Sequence, residues 1–498
     1  MQSINSTLGQ PHGIAAITCK EPTNTLLGLP VPVILHDETV NRYFSNPDQA
    51  NRKEPKPQIP AAIKDEYVAT TKAIMDQIRK SDVIWAYVIL DFIGDHWAIV
   101  VLTDGPSSLF HLTAWSNSSL GLAIYISAAC EVDCRARNVA REVQWPHRSS
   151  VNPGDVLGAG GPNKVGAHKQ AAFGGYLRGR SSGRLVGCTV GRLFFEEPCV
   201  KWKSAGRDAP LQPTALPPGT RVLQPSYSNF HSFFNQLKLT PYIRHNIAAT
   251  DNGGRAKGFE IRYENLDSCR IFSALERDPF NFYFGHGVRA IWQLDTVEQK
   301  IVDVAFFDIE EHRKDDNDGN GGTAIRGTYA TENLRDTLSS QIAQLGLGQF
   351  ISQTGLFGQT PATEETMLIG THDVAKAGKA WGAKDIMYHR DHGVFELDTI
   401  DRHRRGAKPR DAGGWEVTSD GLFIGVNMGG IAGCLELWGK DLDITIHHVN
   451  RCPMMKADAV ISIAEEFYGE KFEAMAPLSH ASRRTSYLVN TMFGVPNG

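Results

Sequence analysis

From Pro153 onward, short apolar runs alternate with clusters of Gly, Pro, Ser and Asp, and this punctuation constrains the fold more than any other feature. The runs at 173–177, 185–189, 303–309, 374–376 and 422–426 are too short for helices. Strands broken by tight turns fit them, which points to an all-β sandwich or barrel. The 48 glycines and 25 prolines supply the turns. One segment breaks the pattern: Met455, Ala459, Ile463 and Phe467 repeat at helical spacing, which predicts a closing helix over 455–467. Residues 471–498 follow as a tail.

The N-terminal third has a different texture. At 498 residues the chain should hold about three domains. Residues 1–60 end in Pro55-Lys56-Pro57-Gln58-Ile59-Pro60, an extended arm or linker. Ile63, Tyr67, Ile74 and Ile78 then share one face of a predicted helix, with Pro60 suited to its start. The apolar stretch 83–102 is long enough to cross a bilayer, but it contains Asp91, Asp95 and His96. Two buried strands, 83–90 and 97–103, joined at Gly94-Asp95, are the better reading. With a further strand at 120–127, residues 61–150 form a small α/β module without a glycine-rich phosphate loop.

Composition closes off several classes of function. Hydrophobic residues make up 41% and charged residues 21%, which suits a globular chain rather than a disordered one. A net charge of −4 gives no basic field for nucleic acid or anionic lipid, so neither nucleic acid nor membrane is expected as a partner. Eight cysteines and no basic-then-apolar leader in residues 1–17 suggest a reducing, cytoplasmic or nuclear setting. Cys130 and Cys134 lack a second ligand pair and read as ordinary thiols. Asp316-Asn317-Asp318-Gly319-Asn320-Gly321 resembles the first half of a calcium loop, but Gly327 stands where the bidentate Glu belongs. A solvated insertion is the default there, and no metal or cofactor is expected.

Five segments, in order, resemble the chymotrypsin-like (trypsin-fold, PA-clan) serine peptidases, closest to a family of large intracellular fungal proteins with a small α/β module ahead of the peptidase domain. Phe173-Gly174-Gly175-Tyr176-Leu177 and Ser182-Gly183-Arg184-Leu185 are similar to the opening hairpin of the first barrel. Gly187-Cys188-Thr189-Val190-Gly191-Arg192-Leu193 follows, with Arg192 where the family carries its catalytic histidine. Gln224-Pro225-Ser226 resembles a signature ahead of a short helix, and Asp303 falls on the strand that supplies the triad aspartate. Val374-Ala375-Lys376-Ala377-Gly378 resembles the start of the second barrel. Pro409-Arg410-Asp411-Ala412-Gly413-Gly414-Trp415, with Gly421 to Gly425 and Gly429-Gly430, mirrors the nucleophile loop and its return strands. Asp443-Ile444-Thr445 sits where the last barrel strand should begin. The resemblance covers roughly residues 150–470. It implies an α+β chain: the N-terminal module, a first β-barrel with insertions over 151–335, and a second barrel with its closing helix over 336–470.

The same match removes the chemistry. Peptide hydrolysis on this fold needs a hydroxyl to attack, an imidazole to take its proton and a carboxylate to orient the imidazole. Of the triad-equivalent positions Arg192, Asp303 and Ala412, only Asp303 keeps its residue type. Ala412 has no nucleophilic atom, and a guanidinium with a pKa above about 12 is no general base. Oxyanion-hole equivalents would be the N–H groups of Arg410 and Ala412, although a bulky Arg410 replaces the glycine that eases this loop's backbone. An ion pair between Arg192 and Asp303 would satisfy the carboxylate left behind.

Three readings compete. The first is a pseudopeptidase that binds a peptide or protein in the inter-barrel cleft. The second is an active serine-type endopeptidase whose His and Ser lie elsewhere. Thr445-Ile446-His447-His448-Val449 resembles a family histidine motif but follows the nucleophile loop, so core or surface histidines are preferred there. His168, His231 and Ser419 lack base–nucleophile spacing, and Cys188 reads as a small buried thiol. The third is an interaction scaffold using the N-terminal module, where Trp97 and Trp115 are candidate anchors but more often core.

Overall fold

The computed structural model describes residues 16–18, 25–26, 29–30, 34–36, 56–93, 96–105, 108–109, 122–128, 151, 153–160, 169–195, 199–201, 214–226, 282–311, 353–354, 365–370, 376–402, 411–418, 422–438 and 444–474. The first helix, α1 (Ala61–Ile78), starts directly after Pro60 and buries Tyr67, Ile74 and Ile78, the face its spacing predicts. Three strands follow: β1 (Trp85–Ile93), β2 (His96–Thr103) and, parallel to β2, β3 (Ala123–Ala128). Strands β1 and β2 are covered on both sides, which accounts for their nearly unbroken apolar sequence. Ala86, Val88, Leu90, Ile99 and Val101 pack with α1, while Trp85, Tyr87, Ile89, Ala98 and Val100 join the larger core behind the sheet. Strand β1 runs through Asp91 to Ile93, past the expected end at Leu90, because Asp91 is a buried, hydrogen-bonded member of the strand.

The first ring is built from β4 (Val156–Gly160), β5 (Ala171–Ala172), β6 (Gly175–Gly179), β7 (Leu185–Thr189), β8 (Arg221–Leu223), β9 (Tyr283–Asp295) and β10 (Lys300–Ile309). Hydrogen bonding runs β6-β7-β10-β9-β8-β4-β5, and β5 continues through Phe173 and Gly174 into β6. Since the last strand of the series leads directly into the first, the sheet curls shut. The second ring uses β11 (Glu365–Ile369), β12 (Lys376–Ala380), then, after β13 (Asp385–His389), β14 (Gly393–Arg402), β15 (Trp415–Thr418) and β16 (Leu422–Asn427). It is completed, after β17 (Ile431–Trp438), by β18 (Ile444–Lys456). The order is β11-β12-β14-β18-β16-β15, and pairing of β15 with β11 closes it. Taking β5 and β6 as one bent strand, each ring has six strands in the order first, second, third, sixth, fifth, fourth. The predicted pair of β-barrels is therefore present, built twice on one plan.

Two features tie the parts together. Strand β13 pairs with β14 on one side and with β1 on the other, so the N-terminal strands extend the sheet of the second ring. The closing helix, α2 (Ala457–Tyr468), begins two residues later than its expected start at 455, because Met455 and Lys456 still pair with Val426 and Gly425 at the end of β18. It ends at Gly469, whose φ of 71° is the left-handed cap that glycine accommodates. Phe467 meets Phe306 of the first ring edge-on at 5.7 Å, and β19 (Phe472–Ala474) then pairs with β6.

The helix face gives a direct test. Ile74→Ala should lower stability by about 2–5 kcal/mol, whereas Val68→Ala, on the exposed face, should change it by less than about 0.5 kcal/mol. Equal shifts in the urea midpoint would show that α1 is not seated as described.

Candidate functional site

At the end of β7 the chain turns once, over Gly191–Leu193. A Cβ on Gly191 would lie 2.0 Å from the Ile291 carbonyl oxygen, so only glycine lets this turn press onto β9. That approach delivers Arg192 to Asp303. The Arg192 backbone N–H donates to Asp303 Oδ1 at 2.8 Å, and its Nε donates to Oδ2. Asp303, on β10, is fully buried. The remaining arm of the guanidinium crosses to the other ring, where Nη2 donates to the Met428 carbonyl at 2.6 Å. Lys169 Nζ donates to the carbonyls of Phe195 and Arg192 and lies 5.6 Å from the centre of the Trp292 ring.

The Asp411–Gly414 loop approaches from the second ring. Its Ala412 carbonyl accepts from Ala172 N–H at 2.8 Å, and Gly413 N–H donates to Asn427 at 2.8 Å. Gly413 has φ of 95°, and a Cβ there would lie 2.5 Å from both the Ala172 carbonyl oxygen and Thr189 Oγ1. The loop is thus seated against β5 and the end of β7, the strand that leads to Arg192. Asp411 and Ala412 are both buried. Arg192 and Asp303 are in direct contact, while Ala412 is hydrogen-bonded to Ala172 of β5. No imidazole takes part in these contacts.

The other candidates fare differently. Cys188, on β7, is fully buried, and burial pushes its thiol up to about 12, so it stays protonated and unreactive. Trp97 packs edge-on against Phe92 at 5.2 Å and tilts over Trp381 at 5.9 Å, which places it within a cluster of rings. Arg410, His168, His231, Ser419, Trp115, Cys130, Cys134 and the 316–321 loop lie outside the described residues. Among the described residues no group of three or more His, Cys, Asp or Glu side chains is arranged to hold a metal, and no helix is long and apolar enough to cross a membrane.

His447 is a largely buried histidine, as expected, but its partner was not foreseen. Its Nε2 is 3.0 Å from Oδ2 of buried Asp91, within a charge cluster that sequence reasoning missed. Arg451, on β18 and fully buried, donates to the Leu90 carbonyl at 2.9 Å and stands 3.4 Å from Asp91 and 3.4 Å from Asp401. Asp385 accepts from Thr399 at 2.7 Å and Tyr87 at 3.0 Å, with Arg451 at 3.9 Å. Burial opposes ionisation of Asp91, but the charges of Lys56 and Arg451 and the hydrogen bond to His447 outweigh it and hold the carboxyl well below its usual range. At Asp385 burial wins over Arg451 and the two hydroxyls, raising the carboxyl to about 6. The available signals were Asp91 inside an apolar run and a lysine between prolines.

No family model matches this chain, and no curated protein matches it. Among solved structures, Thermobifida fusca Protease A is 11% identical and covers 66% of this chain and 98% of its own, with a TM-score of 0.28. Cellulomonas bogoriensis chymotrypsin is 11% identical, covering 66% and 99%, at 0.27. Nocardiopsis protease is 10% identical, covering 65% and 98%, at 0.26. The fold is defined by the order of the strands in the two rings.

Two measurements check the electrostatics. Arg192→Ala should cost about 3–5 kcal/mol by stranding buried Asp303, and adding Asp303→Asn should restore part of that loss in urea unfolding. An unfolded carboxyl titrates near 4 and the folded Asp385 near 6, so the native state holds the extra proton between those values. The Asp385 contribution therefore falls as pH rises through that window. Asp385→Asn should gain about 2–3 kcal/mol relative to wild type between pH 4 and pH 7. A difference independent of pH would refute the assignment.

Proposed function

We propose that this chain is a catalytically inactive homologue of chymotrypsin-like serine peptidases that binds a peptide or protein segment at the junction of its two barrels. The observation that carries the reading is the Arg192 bridge. A permanently protonated group stands where the resemblance expects a base, and it spends its donors on Asp303 and on Met428 of the opposite ring. With Ala412 at the expected nucleophile position, the proton acceptor and the attacking oxygen are both missing. Loss of either costs roughly a factor of a million in turnover in a comparable hydrolase. The junction of the rings then has structural and binding roles open to it but no triad chemistry.

The expected result is no labelling of the wild-type chain by a fluorophosphonate probe and no cleavage of casein. Robust labelling would overturn the reading in favour of a hydrolase with other residues, and the labelled peptide would name its nucleophile. For binding, peptides selected by display should slow amide exchange at residues 189–193 and 427–430. Protection confined to the N-terminal strands would favour the scaffold reading instead.

A further inference from the structure

Lys56 lies on the short stretch 56–60 ahead of α1, outside any helix or strand, where a lysine is ordinarily solvated. Its side chain is instead only 7% exposed. The ammonium is paired with Asp91 Oδ1 of β1 and lies 2.9 Å from Asp401 Oδ2 of β14. It also stands 5.1 Å from the centre of the Trp381 ring. These are the parts of an ammonium cage: two carboxylates on different elements, and an aromatic face.

The cage is held by partners other than its occupant. Asp91 is fixed by His447 at 3.0 Å and by Phe92 N–H at 2.9 Å. Trp381 Nε1 donates to the Leu90 carbonyl at 3.1 Å. Arg451 already fills the guanidinium position, with Cζ 4.2 Å from the centre of the same ring. Without Lys56, the buried carboxylates of Asp91, Asp401 and Asp385 would face Arg451 with one fewer cation among them. Such an anion-rich hollow is costly to leave empty and selects a cation.

We propose that Asp91, Asp401 and the face of Trp381 form a receptor site for one primary alkylammonium group, which the chain's own Lys56 occupies. The arm ahead of α1 is thereby latched across the boundary between the N-terminal strands and the second ring. The site prefers a primary amine because both carboxylates accept from N–H donors, which a quaternary ammonium lacks.

Chemical rescue of the full-length chain tests this. Lys56→Ala should lower Tm by about 5 °C or more. Added n-propylammonium chloride at about 0.1 M should return at least half of the loss, while equal tetramethylammonium or sodium chloride should not. An unchanged Tm, or the same recovery with all three salts, would overturn the proposal. A second measurement uses the native chain and stands even if the variant does not fold. Under an amine-reactive reagent, Lys56 should be modified about tenfold or more slowly than exposed Lys64 and Lys72. Equal rates would refute the site.

Discussion

A buried guanidinium organises the centre of this molecule. Arg451 projects from β18, the last strand of the second ring, and it reaches Leu90 and Asp91 on β1, Asp385 on β13 and Asp401 on β14. A charge so deep is tolerable only if carboxylates and carbonyls surround it, so each partner strand is committed to a fixed position. The pairing of β1 with β13 and of β14 with β18 follows the same geometry. The N-terminal strands are therefore bound to the second barrel by a shared ladder and a shared set of charges.

The contact between the rings obeys a similar logic with the opposite outcome for chemistry. Asp303 is fully buried on β10 and must be answered by a donor. Arg192 answers it with three bonds, two to the carboxylate and one to Met428 across the junction. The guanidinium holds its proton and holds the barrels.

Much of this was legible in the sequence because it is local. The strand over residues 185–189 is bounded as the apolar run predicts, and α1 buries the stripe set by Tyr67, Ile74 and Ile78. The meeting of Arg192 with Asp303 is not local, and only the family resemblance pointed to it. Other features depended on pairing between distant residues and left little local trace. Nothing near Asp91 indicates that its partners are Lys56, His447 and Arg451. Met455 fits the helical stripe of α2, yet it belongs to β18 because Val426 claims it across the sheet. Helical periodicity and strand burial both place an apolar residue there, and only the tertiary partner decides between them.

The return of the chain to its first barrel has a consequence for synthesis. Strand β19 covers one side of β6, while Phe467 packs on Phe306. Residues 472–474 leave the ribosome long after the strands they seal. The early barrel must wait with a bare flank while the later one assembles, a period in which bound chaperone or a misplaced neighbouring strand competes for the vacancy. Docking of residues 472–474 on β6 is then the step that seals the first barrel.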